Sequence, residues 1–400
     1  MIKHLFKIVW RRKQSNLLLT LEIGLTFCVL VGVMTTGLHT GDIYRQPLGF
    51  SRDNVVVLHF HDLRFFGDEG WRRNALRNQI KMLKTVRGFG EVEAAGLSFE
   101  IPYFDYNNHP VLTYAGRSVA AENLWITDGI LEVLRADLIQ GRFFQNADDE
   151  LGLLPVVINR QLREELFGAA DPIGKIISSG PEDRVVVGVL SDFRKDGEFA
   201  PTENVILQRF PLANLADLGG RIPLRHLLFR LKPETTVAQE EKIIAQLQDT
   251  VPAWSFEVTT LENRRKYWLR DDLAAFIALG LIGLALLFMV CLGLMGVLWL
   301  NVTRRTREIG LRRANGATVG KIFNQITGEL LLVTTIGVLG GSVLTAQLAL
   351  SDLFPSVSAK SCFLGITISM VLMYLLAIFC SVYPGFMATR IHPAVALHCE

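Results

Sequence analysis

Between Cys28 and Cys291 the sequence contains no cysteine at all. The other thiols, Cys362, Cys380 and Cys399, also lie in or beside apolar runs or in the tail. A disulfide framework is therefore excluded for the long middle region, which must be held by a packed core. Charge of one sign is lacking too: 41 basic residues meet 39 acidic ones for a net +2, which argues against a nucleic-acid partner. A working phosphate loop is missing. GAADPIGKI at 168–176 has one residue too many between its glycines and Ile176 where a hydroxyl should be, and GATVGKI at 316–322 fails on spacing and hydroxyl alike. ATP hydrolysis by this chain alone is thus not expected. His59 and His61 share one face of a strand end, but no further His or Cys cluster completes a metal site, so they read as a solvated strand end. No Ser/His/Asp or Cys/His arrangement stands out, and Asp148-Asp149 reads as loop chemistry. No catalytic, cofactor or metal site is expected.

What is present is apolar length. Half of the 400 residues are hydrophobic, and mean hydropathy is +0.31. Uncharged apolar runs cover 274–300, 330–350 and 362–384, and a fourth at 17–38 carries only Glu22. Each is long enough to cross about 30 Å of hydrocarbon as a helix. The first run follows Lys3, Lys7, Arg11, Arg12 and Lys13 as a signal peptide would, but it is too long and has no small-x-small cleavage site, so it reads as a retained anchor. Short-loop cations set the orientation. Five precede residue 17 and six lie in 303–321, against Lys360 alone in 351–361. Both termini and the arginine-rich segment are expected in the cytoplasm, with 39–272 on the outer face. Arg264, Arg265, Lys266 and Arg270 oppose the rule, but long translocated domains largely ignore it.

The divisions expected are a cytoplasmic segment 1–16, spans at 17–38, 273–301, 323–350 and 362–384, a cytoplasmic helix at 303–317, a short outer loop 351–361 and a tail 385–400. In the outer domain, strand signals at 54–60 and 91–99 flank a helical pattern at 71–86. The same order recurs as 226–231, 237–250 and 254–259. The fold class expected is four transmembrane helices plus a large α/β outer domain, its α/β module formed by 45–100 and 222–262. Residues 101–221, with a strand at 155–158, a helix at 160–167 and a strand at 185–190, read as an inserted β-rich subdomain.

Within the spans, Glu22 and Glu329 are costly in hydrocarbon and are candidates for a function or for helix–helix hydrogen bonding. Gly337, Gly340, Gly341 and Ser342 make a small-residue face suited to a dimer contact or to packing within the chain. The segment TRRTREIGLRRANGA at 303–317 carries five arginines and one glutamate. As a helix along the cytoplasmic surface it places Arg304, Arg307 and Leu311 on one face and Glu308 one turn from Arg312, with Gly316 as a natural stop. Topology accounts for the arginines but not for the order Arg-Glu-Ile-Gly-Leu-Arg-Arg-Ala followed by Gly-Ala.

That ordered stretch, RTREIGLRRANGA, resembles the signature of the FtsX-like permeases of the MacB type. GRFFQNADD at 141–149, VVINRQLREELFGAADPIGKII at 156–177 and VVVGVLSDF at 185–193 are similar to the family's outer domain, and ATRIHPAVALHCE resembles its closing pattern. In departure from the family no fused ATPase is expected, and the resemblance implies a mechanotransmission permease of a bacterial inner membrane with a periplasmic domain. It makes the cytoplasmic helix a coupling helix that docks on a separate ABC ATPase, through Arg304, Arg305, Arg307, Glu308, Ile309, Gly310, Leu311, Arg312, Arg313, Ala314, Gly316 and Ala317. Asn315 departs from the family's apolar preference. ATP and Mg would be bound by the partner ATPase, with no cofactor in this chain. Further implied partners are a second permease, identical or homologous, and a membrane-fusion adaptor with an outer-membrane channel. The resulting expectation is export of peptides, toxins or drugs. The alternatives are a lipoprotein-releasing or cell-wall-hydrolase-regulating permease, and a membrane-anchored sensor without transport.

Overall fold

A computed structural model describes residues 13–61, 69–104, 108–145, 147–148, 152–179, 182–212, 223–315, 317–350 and 358–389. Gly316, Asp149, most of the 351–361 loop and the tail from Arg390 lie outside them. The chain divides into two compact units, Met1–Asp42 with Leu273–Glu400, and Ile43–Asp272.

In chain order the elements are α1 (Lys13–Tyr44), β1 (Val55–Phe60), α2 (Glu69–Arg87), β2 (Val92–Ser98), β3 (Val111–Tyr114), β4 (Arg117–Ala120), β5 (Glu122–Ile126), α3 (Ile130–Val133), β6 (Leu138–Gly141), β7 (Leu154–Asn159), α4 (Arg160–Phe167), β8 (Ile176–Ser179), β9 (Glu182–Leu190), β10 (Val205–Arg209), β11 (His226–Leu231), α5 (Val237–Thr250), β12 (Phe256–Thr260), α6 (Leu261–Arg304), α7 (Thr306–Ala314), α8 (Val319–Leu350) and α9 (Ala359–Thr389).

The two strand–helix–strand repeats of the outer unit interleave. Their strands lie in the order β12-β1-β11-β2, every neighbouring pair antiparallel. Each repeat is thus a split βαβ unit whose two parallel strands are separated by one strand of the other, as in ferredoxin-like folds. Helices α2 and α5 add Leu76, Met82, Leu83, Val86, Ile243 and Leu247 to one core with Val56, Leu58, Leu97, Leu227 and Phe229. A capping box between Thr236 and Gln239 starts α5 at the expected residue.

Residues 101–221, expected as an inserted β-rich subdomain, continue the same sheet. Edge strand β2 pairs with β5 at Ser98–Ile126, and the sheet continues as β10-β7-β9-β8-β3-β4, with β6 beside β9. Pairing satisfies an edge that would otherwise stay open, and both halves share a core: Val55, Val57 and Leu228 pack with Leu124, Ile126, Val157 and Leu207. A smaller cluster under α4 joins Leu162 and Leu166 to Val156, Ile158 and Ile206.

In the other unit, α1, α6, α8 and α9 each hold a stretch long and apolar enough to cross a membrane. The helices outrun the apolar runs because nothing breaks them at the hydrocarbon boundary; α6 begins at Leu261, well before its uncharged stretch. Their shared core includes Ile23, Phe27, Val290, Leu294, Val333, Met373 and Ala377. Leu21, Leu25, Phe288, Leu339, Phe363 and Phe379 are left on the outside, where hydrocarbon suits them.

Candidate functional site

The break between α6 and α7 falls at Arg305. Its N–H reaches back to Val302 O at 3.1 Å, and its carbonyl accepts the Ile309 N–H at 2.9 Å, so the chain turns and at once resumes a helix. Asn315 N–H returns to Leu311 O at 3.0 Å and Ala317 N–H to Arg312 O at 2.9 Å, closing the far end. The regular helix is accordingly shorter than the 303–317 expected.

Helical periodicity sorts the signature into two faces. On the inner face Ile309, 8% exposed, packs with Val302 and Ile322 against Ile326 and Met387. Gly310 is buried beside it. Arg305 also turns inward, donating from Nη1 to both Glu329 oxygens on α8 at 2.8 and 2.9 Å, with side chains only 16% and 14% exposed. Gln325 Nε2 donates to the same carboxylate at 3.2 Å, and Arg312 donates to both Gln325 and Glu308. A continuous polar chain, Glu308–Arg312–Gln325–Glu329–Arg305, thus ties α7 to the first turns of α8. Arg305, Ile309 and Gly310, expected among the contacts to a partner, face the bundle, because their spacing points them there.

The outer face carries Arg304, Arg307, Glu308, Leu311, Ala314 and Asn315, all exposed. They recur every three or four residues, and Leu311, 54% exposed, sits among the charges. Arg313 lies within α7 and Ala317 just beyond it. Such a stripe is built for charge-assisted contacts around one apolar anchor. Gln325 went unnoticed in sequence; its position one turn before Glu329 was the available signal.

Of the glycines read as a dimer contact or as packing within the chain, Gly337 and Gly341 pack within the chain. A Cβ on Gly337 would come within 2.6 Å of Ile23 Cγ2, and one on Gly341 within 2.8 Å of Gly24 O. These positions, with Gly24, let α1 and α8 cross closely, and Cys28 Sγ donates to Gly341 O at 3.3 Å. Gly340 meets nothing within 4 Å and faces outward. Glu22 lies against Gly293 of α6, where a Cβ would stand 2.9 Å from its Oε2; among the described residues no hydrogen bond or ion pair reaches it.

In the outer unit, His59 is not the solvated residue expected. Its Nδ1 lies 3.0 Å from Nε2 of the fully buried His226, whose Nδ1 lies 3.2 Å from Phe99 O. The carbonyl can only accept, so His226 donates to it and its Nε2 accepts from His59. Burial holds both imidazoles below their ordinary pKa, His226 far below. The neighbour His61 is exposed. Asp148 likewise is no solvated loop acid: it is buried and paired with Arg142. The 168–174 segment follows helix α4 and leads into β8, the reverse of the strand-to-helix setting of a phosphate loop.

Residues 17–247 match the MacB-like periplasmic core domain, and residues 280–393 the FtsX-like permease C-terminal region. The pyoverdine export ATP-binding/permease protein PvdT of Pseudomonas aeruginosa is 28% identical over 243 residues, covering 58% of this chain and 36% of the relative. The macrolide export ATP-binding/permease protein MacB of Campylobacter jejuni is 25% identical over 420 aligned residues, covering 99% and 61%. The chain thus spans between about a third and three fifths of the length of these relatives. The periplasmic region of MacB from Actinobacillus actinomycetemcomitans is similar at 13% identity with a TM-score of 0.40, covering 56% of this chain and 97% of that one.

Proposed function

This chain belongs to the FtsX-like ABC permeases with a MacB-like periplasmic core domain, and from that premise we propose that it is the transport subunit through which a partner ABC ATPase drives export. Both termini and α7 lie in the cytoplasm on this reading, with the outer unit in the periplasm of an inner-membrane protein. ATP and Mg are bound by the ATPase, since neither candidate phosphate loop of this chain has the needed spacing. The names of the relatives, macrolide and pyoverdine exporters, favour export of small molecules, peptides or toxins over lipoprotein release, hydrolase regulation or sensing. A second permease subunit completes the assembly, and an adaptor with an outer-membrane channel receives the cargo.

The observation that carries this reading is the division of α7 into an exposed charged stripe and a tethered inner face. A helix that only set topology would need its arginines and nothing more. Here Arg304, Arg307, Glu308 and Leu311 are exposed, while Arg305 and Ile309 bind the helix to α8. A displacement imposed on the outer stripe is therefore handed to a membrane helix through a nearly buried ion pair. Replacing Arg304 by Glu and Leu311 by Asp together tests it. The variant inserts normally but loses export and stops the permease from altering ATPase turnover; unchanged export overturns the assignment.

A further inference from the structure

Glu122 opens β5 with its side chain only 1% exposed. The backbone on either side of it is stapled to two other segments. Glu122 N–H donates to Asn204 O at 2.7 Å, and Asn123 N–H to Asn108 O at 3.0 Å. Parallel pairing of β5 with β10 fixes the first register at Val205–Glu122. Asn159 locks the approach to β10, donating to Glu203 O at 2.6 Å and accepting the Val205 N–H at 3.0 Å. These contacts set His109 and Glu203 beside the Glu122 carboxylate, with one ligand-type atom from each of the three residues all within 4.8 Å of one another.

The two oxygens of Glu122 have different fates. Oε1 accepts from the buried Lys195 ammonium at 2.8 Å. Oε2 is buried, and His109 Nε2 lies 2.8 Å from it. A buried carboxylate faced by an imidazole nitrogen and a second carboxylate is an arrangement that a cation completes. Lys195 neutralises one half of the carboxylate, and Glu203 brings a further negative charge from the exposed side. Glu100, itself buried, lies next to Glu122.

We propose that His109, Glu122 and Glu203 form a binding site for a divalent first-row transition-metal ion that clasps β5 to the segments leading into β3 and β10. One imidazole nitrogen and two carboxylate oxygens are the donors of Zn2+ and its borderline neighbours, and the absence of thiolate disfavours monovalent copper. Metal–ligand bonds of about 2.0 Å in a tetrahedral arrangement put ligand atoms about 3.3 Å apart, so only small side-chain movements close the shell. His109 and Glu203 are exposed, which leaves an entry path and a fourth position for water. Lys195 and Glu100 orient the buried ligand from behind, as outer-shell partners do.

The test uses the full-length chain in detergent, stripped with EDTA and titrated with Zn2+ by calorimetry, with thermal unfolding followed in parallel. Expected are one saturable site per chain and a rise in Tm on adding zinc. His109→Ala and Glu203→Ala alter exposed side chains and leave the fold intact; each weakens binding by more than about tenfold and removes the rise in Tm. Glu122→Gln keeps an acceptor for Lys195 but loses the same affinity. Two results overturn the proposal: no saturable binding to the folded wild type, or binding of undiminished affinity in His109→Ala and Glu203→Ala, which would place the zinc elsewhere, for example at His59 and His61.

Discussion

The outer unit and the membrane unit solve the same packing problem with opposite materials. The outer unit buries cations and surrounds them with backbone carbonyls. Arg194, 1% exposed, donates to Ile43 O, Gln46 O, Glu198 O and Ala200 O, and Arg230 to Val133 O, Ser51 O and Asp53 O. The membrane unit brings backbones together at Gly24, Gly337 and Gly341, and its best-defined ion pair, Arg305–Glu329, sits beside α7. In water, burial of a large apolar sheet supplies a surplus that tolerates desolvated guanidinium groups when their donors are satisfied. Between helices in lipid that surplus is missing, and close contact takes its place. The difference locates the polar devices: structural in the outer unit, and in the membrane unit gathered beside α7, the proposed docking helix.

The largest expected effect that would break this contrast is in the outer unit. Arg194→Met strands four carbonyls, those of Ile43 and Glu198 in buried contacts, and should cost about 3–5 kcal/mol, seen as loss of hydrogen-exchange protection around 43–50 and 192–200. Next comes the tether between α7 and α8. Arg305→Ala leaves the Glu329 carboxylate nearly buried without its cation and should cost about 3 kcal/mol. The swap Arg305→Glu with Glu329→Arg should recover much of that loss in a double-mutant cycle of thermal unfolding. Gly341→Val comes third: its added atoms meet Gly24 O and Phe27, and separating α1 from α8 should cost about 1–3 kcal/mol, read as a lower Tm in detergent.

A smaller effect concerns pH. His226 is neutral in the folded outer unit, with its pKa far below the ordinary value of about 6.5. A depressed folded pKa means that the stability it contributes is present above about pH 6.5 and is lost as pH falls below it, because the unfolded chain then takes up the proton more readily. Unfolding of the wild type measured between pH 7.5 and 5 should show this slope, and His226→Gln should flatten it. An unchanged slope in the variant would move the titration to another group.

Much of this was legible in the sequence, and the limits have physical causes. The spans were legible because hydrocarbon demands unbroken apolar length, and 237–250 because its periodicity agrees with its capping residues. Interleaving of the two βαβ units was not, since alternation in a strand reports which face is buried but not which strand lies beside it. Continuity of the sheet through Ser98–Ile126 was hidden for the same reason. In the arginine-rich segment, order pointed to a docking helix, but charge counting could not separate Arg304 from Arg305. Only the position of Glu329, brought back by the turn into α8, decides which arginine faces inward. The His109, Glu122 and Glu203 cluster was equally invisible, because a parallel strand pair assembles it from distant stretches of chain.

The central claim is that the exposed stripe of α7 is where a partner ATPase takes hold. Co-purification from membranes measures it most directly, with wild type and the Arg304→Glu/Leu311→Asp variant extracted in the same detergent. The wild type should bring down an ABC ATPase in near-equal amount, and the variant about tenfold less at unchanged Tm, as expected when a central apolar anchor and its flanking charge are lost. Equal recovery of the ATPase by the two proteins would contradict the account.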